Sequence, residues 1–188
     1  MIKIGITGSL ASGKTTASKI LSFKRGPLYS ADKIVKNLYK KKSFQKTISK
    51  KLKLRSKKNF KKEIVEKILV KKDTIKKLED IIHPKARKEI LKFSLKNKNK
   101  NLLFFEIPLL IENKLQKYFD IVIFIKCKKN LRIKRYLSKG GDQRLFKFLD
   151  RHQLEDRKKV KFCDYVVVNN KSLKVLKKKL INIINQYE

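Results

Sequence analysis

The sequence predicts an α/β fold: a parallel sheet with helices on both faces. Two features carry this expectation. The strand-like runs Leu102–Ile107 and Ile121–Ile125 are apolar almost throughout rather than alternating, so both faces must be buried. They are also separated by stretches of helical periodicity, the crossovers that parallel strands require. A third feature, the small-residue loop Gly8–Gly13 between the first strand and the first helix, marks where a ligand would sit.

The elements follow in order. Ile2–Thr7 reads as a short buried strand, and Lys14 to about Lys24 as a helix. Gly26-Pro27 punctuates the chain before a second strand at Leu28–Ser30. From Asp32 to about Asn99 the pattern is helical: Ile34, Val35, Leu38 and Tyr39 recur at helix spacing, as do Ile64, Ile68 and Leu69, then Ile75, Leu78, Ile81 and Ile82. Within this stretch Pro84 is expected to kink or restart the helix. The two apolar strands flank a short helix expected at Leu109–Leu115. Leu131–Leu137 reads as helix, Lys139–Leu145 as a polar connection, and helix resumes to about Lys161. Tyr165–Val168 is the fifth strand, and Leu173–Ile184 a closing amphipathic helix.

The 188 residues fit one α/β domain with inserted subregions, since six Gly and three Pro leave little material for linkers. The 52 Lys and Arg against 16 Asp and Glu give a net charge of +36, which attracts polyanions. Only eight of the 52 are Arg, and the Lys are spread along the chain. Nucleic-acid readers more often concentrate Arg forks on one face, so the expectation is a compositional Lys excess and no specific nucleic-acid function. Cys127 and Cys163 have no partner at metal-ligand spacing and are expected to be buried free thiols. The N-terminus lacks a basic region followed by a sustained apolar stretch, and the run Leu102–Ile111 is too short to span a bilayer. A cytoplasmic protein with no membrane association is therefore expected.

Gly8-Ser9-Leu10-Ala11-Ser12-Gly13-Lys14-Thr15 is a full G-x-x-x-x-G-K-[ST] phosphate loop. Residues without bulk let the backbone wrap so that successive N–H groups, at a helix N-terminus, face phosphate oxygens. Lys14, expected to face a solvated anion site, supplies positive charge for the β- and γ-phosphates, and Thr15 supplies a hydroxyl to Mg²⁺. Asp32 follows the second strand and so stands at the sheet's carboxyl edge. It could orient an acceptor hydroxyl and take its proton, or simply cap the next helix. Glu106, ending the third strand, could bind Mg²⁺ through water or pair with a neighbouring Lys. His83 alone is uninformative. Arg135, Lys139, Arg144, Arg151 and Arg157, near Gly140-Gly141, together suggest a lid over ATP phosphates.

Taken together, these residues resemble the dephospho-CoA kinase family over essentially the whole chain. The family's opening loop matches Gly8–Thr16, and its D-A-D triplet corresponds to Ser30-Ala31-Asp32. Its L-E-x-I-x-H-P segment corresponds to Leu78–Pro84, with Arg87 where a basic residue often follows. Pro108-Leu109-Leu110-Ile111-Glu112 reproduces P-L-L-x-E, followed by Asn113, and Gln153 with Asp164-Tyr165-Val166 and Asn169 matches the closing pattern. The departures are Ser30 in place of an acid, and Lys61 and Lys139 where Arg is common; Lys keeps the charge but loses the bidentate fork.

The resemblance implies a P-loop, nucleotide-kinase-like five-stranded sheet. It further implies a core of residues 1–34 and 101–188, a helical substrate-binding insertion at about 35–100, and a lid at about 135–155. The implied reaction moves the ATP γ-phosphoryl group to the ribose 3′-hydroxyl of dephospho-CoA. Asp32 and Lys14 are the implied catalytic residues. ATP would be held by Gly8, Ala11, Ser12, Gly13, Lys14, Thr15, Thr16, Arg135 and Lys139. Dephospho-CoA would be held by Asp32, His83, Arg87, Pro108 and Leu109, and Mg²⁺ by Thr15 and Glu106. No obligatory protein partner is implied. Two other readings stay open on the residues alone: a nucleoside or nucleoside-monophosphate kinase, and an ATP-dependent nucleic-acid-binding module.

Overall fold

The structure, a computed structural model, describes residues 1–55, 59–71 and 73–188. The chain divides into two compact units, one of residues 1–31 and 96–188, the other of residues 32–95.

The first unit is built on five parallel strands: β1 (Ile2–Gly8), β2 (Leu28–Ser30), β3 (Leu102–Glu106), β4 (Ile121–Lys126) and β5 (Tyr165–Val168). Their spatial order is β2-β3-β1-β4-β5, so β1 is central. Every residue of β3 is buried, as are the first five of β4, which is why these segments are apolar on both faces. At the edge the rule relaxes: Val166 and Val168 of β5 are exposed, while Val167 packs into the core. The core on one face joins Ile4, Ile6, Phe104 and Ile123 to helix α1 (Lys14–Ser22) through Ala17 and Leu21. It closes on the last helix of the chain (Leu173–Ile184) through Leu176, Leu180 and Ile184, spaced four apart on one face. Each fully buried Phe or Ile side chain contributes about 1.5–3 kcal/mol.

The second unit is helical: α2 (Ala31–Leu38, with Ala31 still in the first unit), α3 (Lys42–Leu52), α4 (Phe60–Val70) and α5 (Asp73–Lys96, ending at the first unit). Its core gathers Phe44, Ile48, Leu52, Phe60, Ile64 and Leu78. Tyr39 meets Phe44 and Phe60 edge-on, with ring centroids at 5.5 and 6.0 Å. Pro84 neither stops nor restarts α5. Its missing N–H removes one rung of the ladder, and the helix carries on through it.

The remaining helices of the first unit are α6 (Lys129–Leu137), α7 (Gln143–His152), α8 (Asp156–Val160) and α9, the closing helix already described. The helix expected to run on to Lys161 is thus broken at 153–155, and the one expected at Leu109–Leu115 is replaced by turns. Pro108 opens that segment and Lys114, at φ 53°, closes it, so only Asn113 N to Leu109 O makes a helical bond there before Leu115 N reaches back to Leu110 O. A 3₁₀ turn at Gln116–Tyr118 then leads into β4.

Candidate active site

β1 delivers the chain to Gly8, and α1 takes it up at Lys14. The loop between them is sterically dictated at both ends. A Cβ on Gly8 would lie 2.5 Å from the carbonyl oxygen of Ile125. Gly13, at φ 100°, has the left-handed backbone that L residues avoid, and a Cβ there would lie 2.3 Å from Asn169 Nδ2. Ser12 N donates to Ser9 O at 3.1 Å, closing the curve, and Ala11 is itself left-handed at φ 58°. Lys14 differs from expectation. It is buried rather than solvated, and its ammonium donates to the carbonyls of Gly8 and Ser9, each at 3.0 Å. Those carbonyls lie within reach of its four-carbon stem, so the charge folds back over its own loop. Thr15 and Thr16, in the first turn of α1, are exposed.

Glu106 ends β3 almost wholly buried, at 1 % exposure. Thr15 Oγ1 donates to its Oε1 at 2.5 Å, and Ser30 Oγ donates to its Oε2 at 2.9 Å. The register that pairs Ser30 with Glu106 across β2 and β3 brings these groups together. No Lys or Arg pairs with Glu106 among the described residues, so the ion-pair alternative is set aside. Asp32 lies in the first turn of α2, inside the helix rather than at its cap, where the helix dipole favours a carboxylate. Pro108 O accepts from Thr7 Oγ1 at 3.1 Å, and Leu109 is half-buried beside it.

The loop is clamped from the far end of the chain. Arg135 donates to Ser12 O (3.3 Å), Asn169 O (3.2 Å) and the buried thiol of Cys127 (3.3 Å). Asn169 Nδ2 donates to Ser12 O at 2.8 Å. At the loop tip Leu10 N donates to Gln153 Oε1 at 3.0 Å, and Ser9 hydrogen-bonds Asp156. Arg132, buried under Phe146, reaches Leu10 O at 3.3 Å and pairs with Asp150 at 2.6 Å. Burial pushes the Asp150 carboxyl up, but Arg132 and Lys129 outweigh it and hold it below the ordinary carboxylate range. A cleft of about 420 Å³ opens over the tip between Ser9, Lys129, Arg132, Arg151, Glu155 and Asp156.

Lys139 and Arg144 are exposed near the turn after α6, and Arg157 is spent on an exposed ion pair with Glu155. The lid arginines named from sequence therefore reach the loop only through Arg135. Arg132, which also does, was missed; it stands one turn before Arg135 on α6, and that spacing was the available signal. Cys163 is only half-buried, unlike Cys127.

In the helical unit His83 is half-buried on α5, with Arg87 exposed one turn on. Burial lowers the imidazole pKa; Arg87 adds to this, while Glu79 and Asp80 oppose it. Lys61 is exposed on α4.

The oxygen set at Thr15 and Glu106 fits a hard divalent cation: a buried carboxylate with hydroxyl partners and no cation of its own. No cluster of three or more metal-binding side chains occurs among the described residues, and Mg²⁺, which keeps waters and phosphate oxygens in its shell, does not need one. No helix among the described residues is long and apolar enough to cross a membrane.

Comparison with known proteins agrees with this geometry. Residues 2–174 match the family model described as dephospho-CoA kinase. A dephospho-CoA kinase of Rickettsia typhi is 32 % identical over 191 residues, covering all of this chain and 98 % of its own. Among solved structures, the dephospho-CoA kinase of Campylobacter jejuni superposes with a TM-score of 0.66 at 29 % identity, covering 98 % of this chain and 96 % of its own. TT1252 from Thermus thermophilus, at 24 % identity and a TM-score of 0.79 over all of this chain and 98 % of its own, shares the fold. A phosphate loop and sheet of this order, matched along nearly the full length, place the chain in the dephospho-CoA kinase family.

Proposed function

We infer that the chain transfers the γ-phosphoryl group of ATP to the ribose 3′-hydroxyl of dephospho-CoA, through the residues described above. The observation that carries the assignment of roles is the run Thr15–Glu106–Ser30, a hydroxyl, carboxylate and hydroxyl linking the phosphate loop to the end of β2. Two residues further along the chain is Asp32.

ATP phosphates lie in the loop Gly8–Thr16, with Lys14 swinging from the Gly8 and Ser9 carbonyls to the β- and γ-oxygens. Mg²⁺, held by Thr15 and through water by Glu106, would offset charge between those oxygens. Dephospho-CoA is held by His83, Arg87, Pro108 and Leu109. Asp32 orients the 3′-hydroxyl and takes its proton as the oxygen bonds to the γ-phosphorus; the bond from that phosphorus to the bridging oxygen breaks, and ADP leaves. Arg135 and Lys139, within a lid at about 135–155, stabilise the transferring group and exclude water, which would otherwise hydrolyse ATP. The two free thiols suit a reducing cytoplasm.

The test is a coupled assay with ATP and dephospho-CoA, AMP, CMP and deoxynucleosides as parallel acceptors. ADP release that depends on dephospho-CoA is expected. Faster turnover of a nucleoside or a nucleoside monophosphate would overturn the substrate.

A further inference from the structure

We propose that Glu112 and Lys159, which hold none of the roles assigned above, are positioning residues that set the tip of the phosphate loop. The proposal rests on the ATP-dependent reading of that loop.

Lys159, on α8, is fully buried, an unusual place for an ammonium. Its Nζ lies 2.6 Å from Glu112 Oε1, which also accepts from Leu154 N at 3.2 Å. Glu112 Oε2 is buried with no hydrogen-bond partner, and Lys159 Nζ is likewise buried without a well-directed hydrogen bond, so the pair is held by charge. A pair desolvated this far and satisfied only in part is a poor source of stability, because the cost of removing both charges from water offsets their attraction. Its position accounts for it better.

Glu112 grips the segment 153–160 at two points, through Leu154 N and through Lys159. Between and beside those points are the two side chains that hold the loop tip: Gln153, accepting from Leu10 N, and Asp156, accepting from Ser9. At its other end the 108–115 turn is tied to the loop's stem, where Thr7 Oγ1 donates to Pro108 O. The bonds therefore form a closed frame, from the stem at Thr7, through Pro108 and Glu112, across to Lys159 and Leu154, and back through Asp156 and Gln153 to the tip at Ser9 and Leu10. The ion pair is the one ionic link in that circuit. The ion pair ties α8 to the 108–115 turn, and α8 holds Ser9 through Asp156; the Leu154 N bond to Glu112 holds the neighbouring Gln153, which holds Leu10. Displacing groups of this kind by about 1 Å is enough to cost up to about a hundredfold in rate.

The experiment compares wild type with Glu112→Gln/Lys159→Met, which removes both charges and nearly keeps both volumes. Melting curves, ATP binding by calorimetry and steady-state kinetics are read on each. The double variant is expected to fold with near-wild-type stability, yet to bind ATP about tenfold more weakly with a matching rise in ATP KM. Its KM for dephospho-CoA should stay within about twofold of wild type. A purely structural pair would not separate these readouts. Wild-type ATP affinity in the folded double variant would overturn the proposal. If that variant fails to fold, Glu112→Asp, which keeps the charge but withdraws the carboxylate by one methylene, should show the same selective ATP loss to a smaller degree; unchanged ATP binding there would equally refute it. A wild type that binds ATP but leaves dephospho-CoA unphosphorylated would sink the assigned reaction, and the binding comparison would still decide the frame.

Discussion

Gly13→Ala tests the clamp on the phosphate loop most directly. Two costs can be worked from the structure. At φ 100° an L residue incurs a left-handed penalty of about 1–2 kcal/mol. The new methyl would also lie 2.3 Å from Asn169 Nδ2, so the amide must move and its 2.8 Å bond to Ser12 O is lost, at about 0.5–1.5 kcal/mol. Together the change is about 1.5–3.5 kcal/mol. In a chain of this size that corresponds to a fall of about 3–14 °C in Tm. ATP KM should rise by at least about tenfold, since in the proposed reading the Gly13 backbone N–H, at the start of α1, faces phosphate. Melting by circular dichroism and ATP titration of initial rates measure both. Asn169→Gly removes the obstructing side chain along with its bond, so adding it to Gly13→Ala should cost much less than Asn169→Gly does alone. A Gly13→Ala protein as stable as wild type, with unchanged ATP KM, would refute the argument that Gly13 is required by its backbone and by Asn169.

Lys14→Ala should abolish transfer while leaving a cooperative melting transition, because the loop carbonyls it releases can take water; wild-type turnover by the folded variant would remove Lys14 from the chemistry. Asp32→Asn should slow transfer by about 10²–10⁴-fold with ATP affinity nearly kept. Ser30→Ala, which loses one hydrogen bond to Glu106, should cost about tenfold, and the reverse order would shift the base to another carboxylate. The depressed pKa of His83 means that the neutral imidazole favours the fold: its contribution is complete above the unfolded value near 6.5 and is lost as pH falls through the lower folded value. Tm should therefore drop as pH falls below about 6.5, and His83→Gln should flatten that slope; an unaltered slope would show that other groups set it. Duplex DNA binding should be weak at low salt and collapse between about 50 and 200 mM salt, whereas sequence-selective binding at the higher salt would contradict a compositional origin for the +36 charge.

The sheet and the phosphate loop were legible because their signals are local and unambiguous. A fully apolar run such as Leu102–Phe105 has one stable environment, and a G-x-x-x-x-G-K-T loop at a strand–helix junction has one backbone course. The strand order β2-β3-β1-β4-β5 was not legible, since pairing depends on crossovers that leave no mark on single residues. Within the site, Lys14 and Thr15 are named by the motif itself, whereas Arg132 is signalled only by its spacing from Arg135, and Asp156 and Lys159 by nothing near them. Their roles arise from contacts more than 40 residues away along the chain, and in a Lys-rich sequence a fully buried lysine looks like every solvated one. Asp32 is placed near the sheet's carboxyl edge by the strand before it, but the helix already begins at Ala31, so helix geometry rather than the strand directs its side chain.

The clamp on the loop also has a consequence for how the protein is made. Gly8 leaves the ribosome early, yet the groups that hold its loop, Arg132, Arg135, Gln153, Asp156 and Asn169, come from the last third of the chain. β1 itself gains its neighbours only when residues 102–126 have been synthesised. At about 5–20 residues per second, roughly 8–30 s pass between the loop and the asparagine that locks it. Throughout that interval the nascent chain carries a phosphate-loop sequence without a phosphate loop. The loop's hold is therefore completed only once the segments that clamp it have been made, late in synthesis.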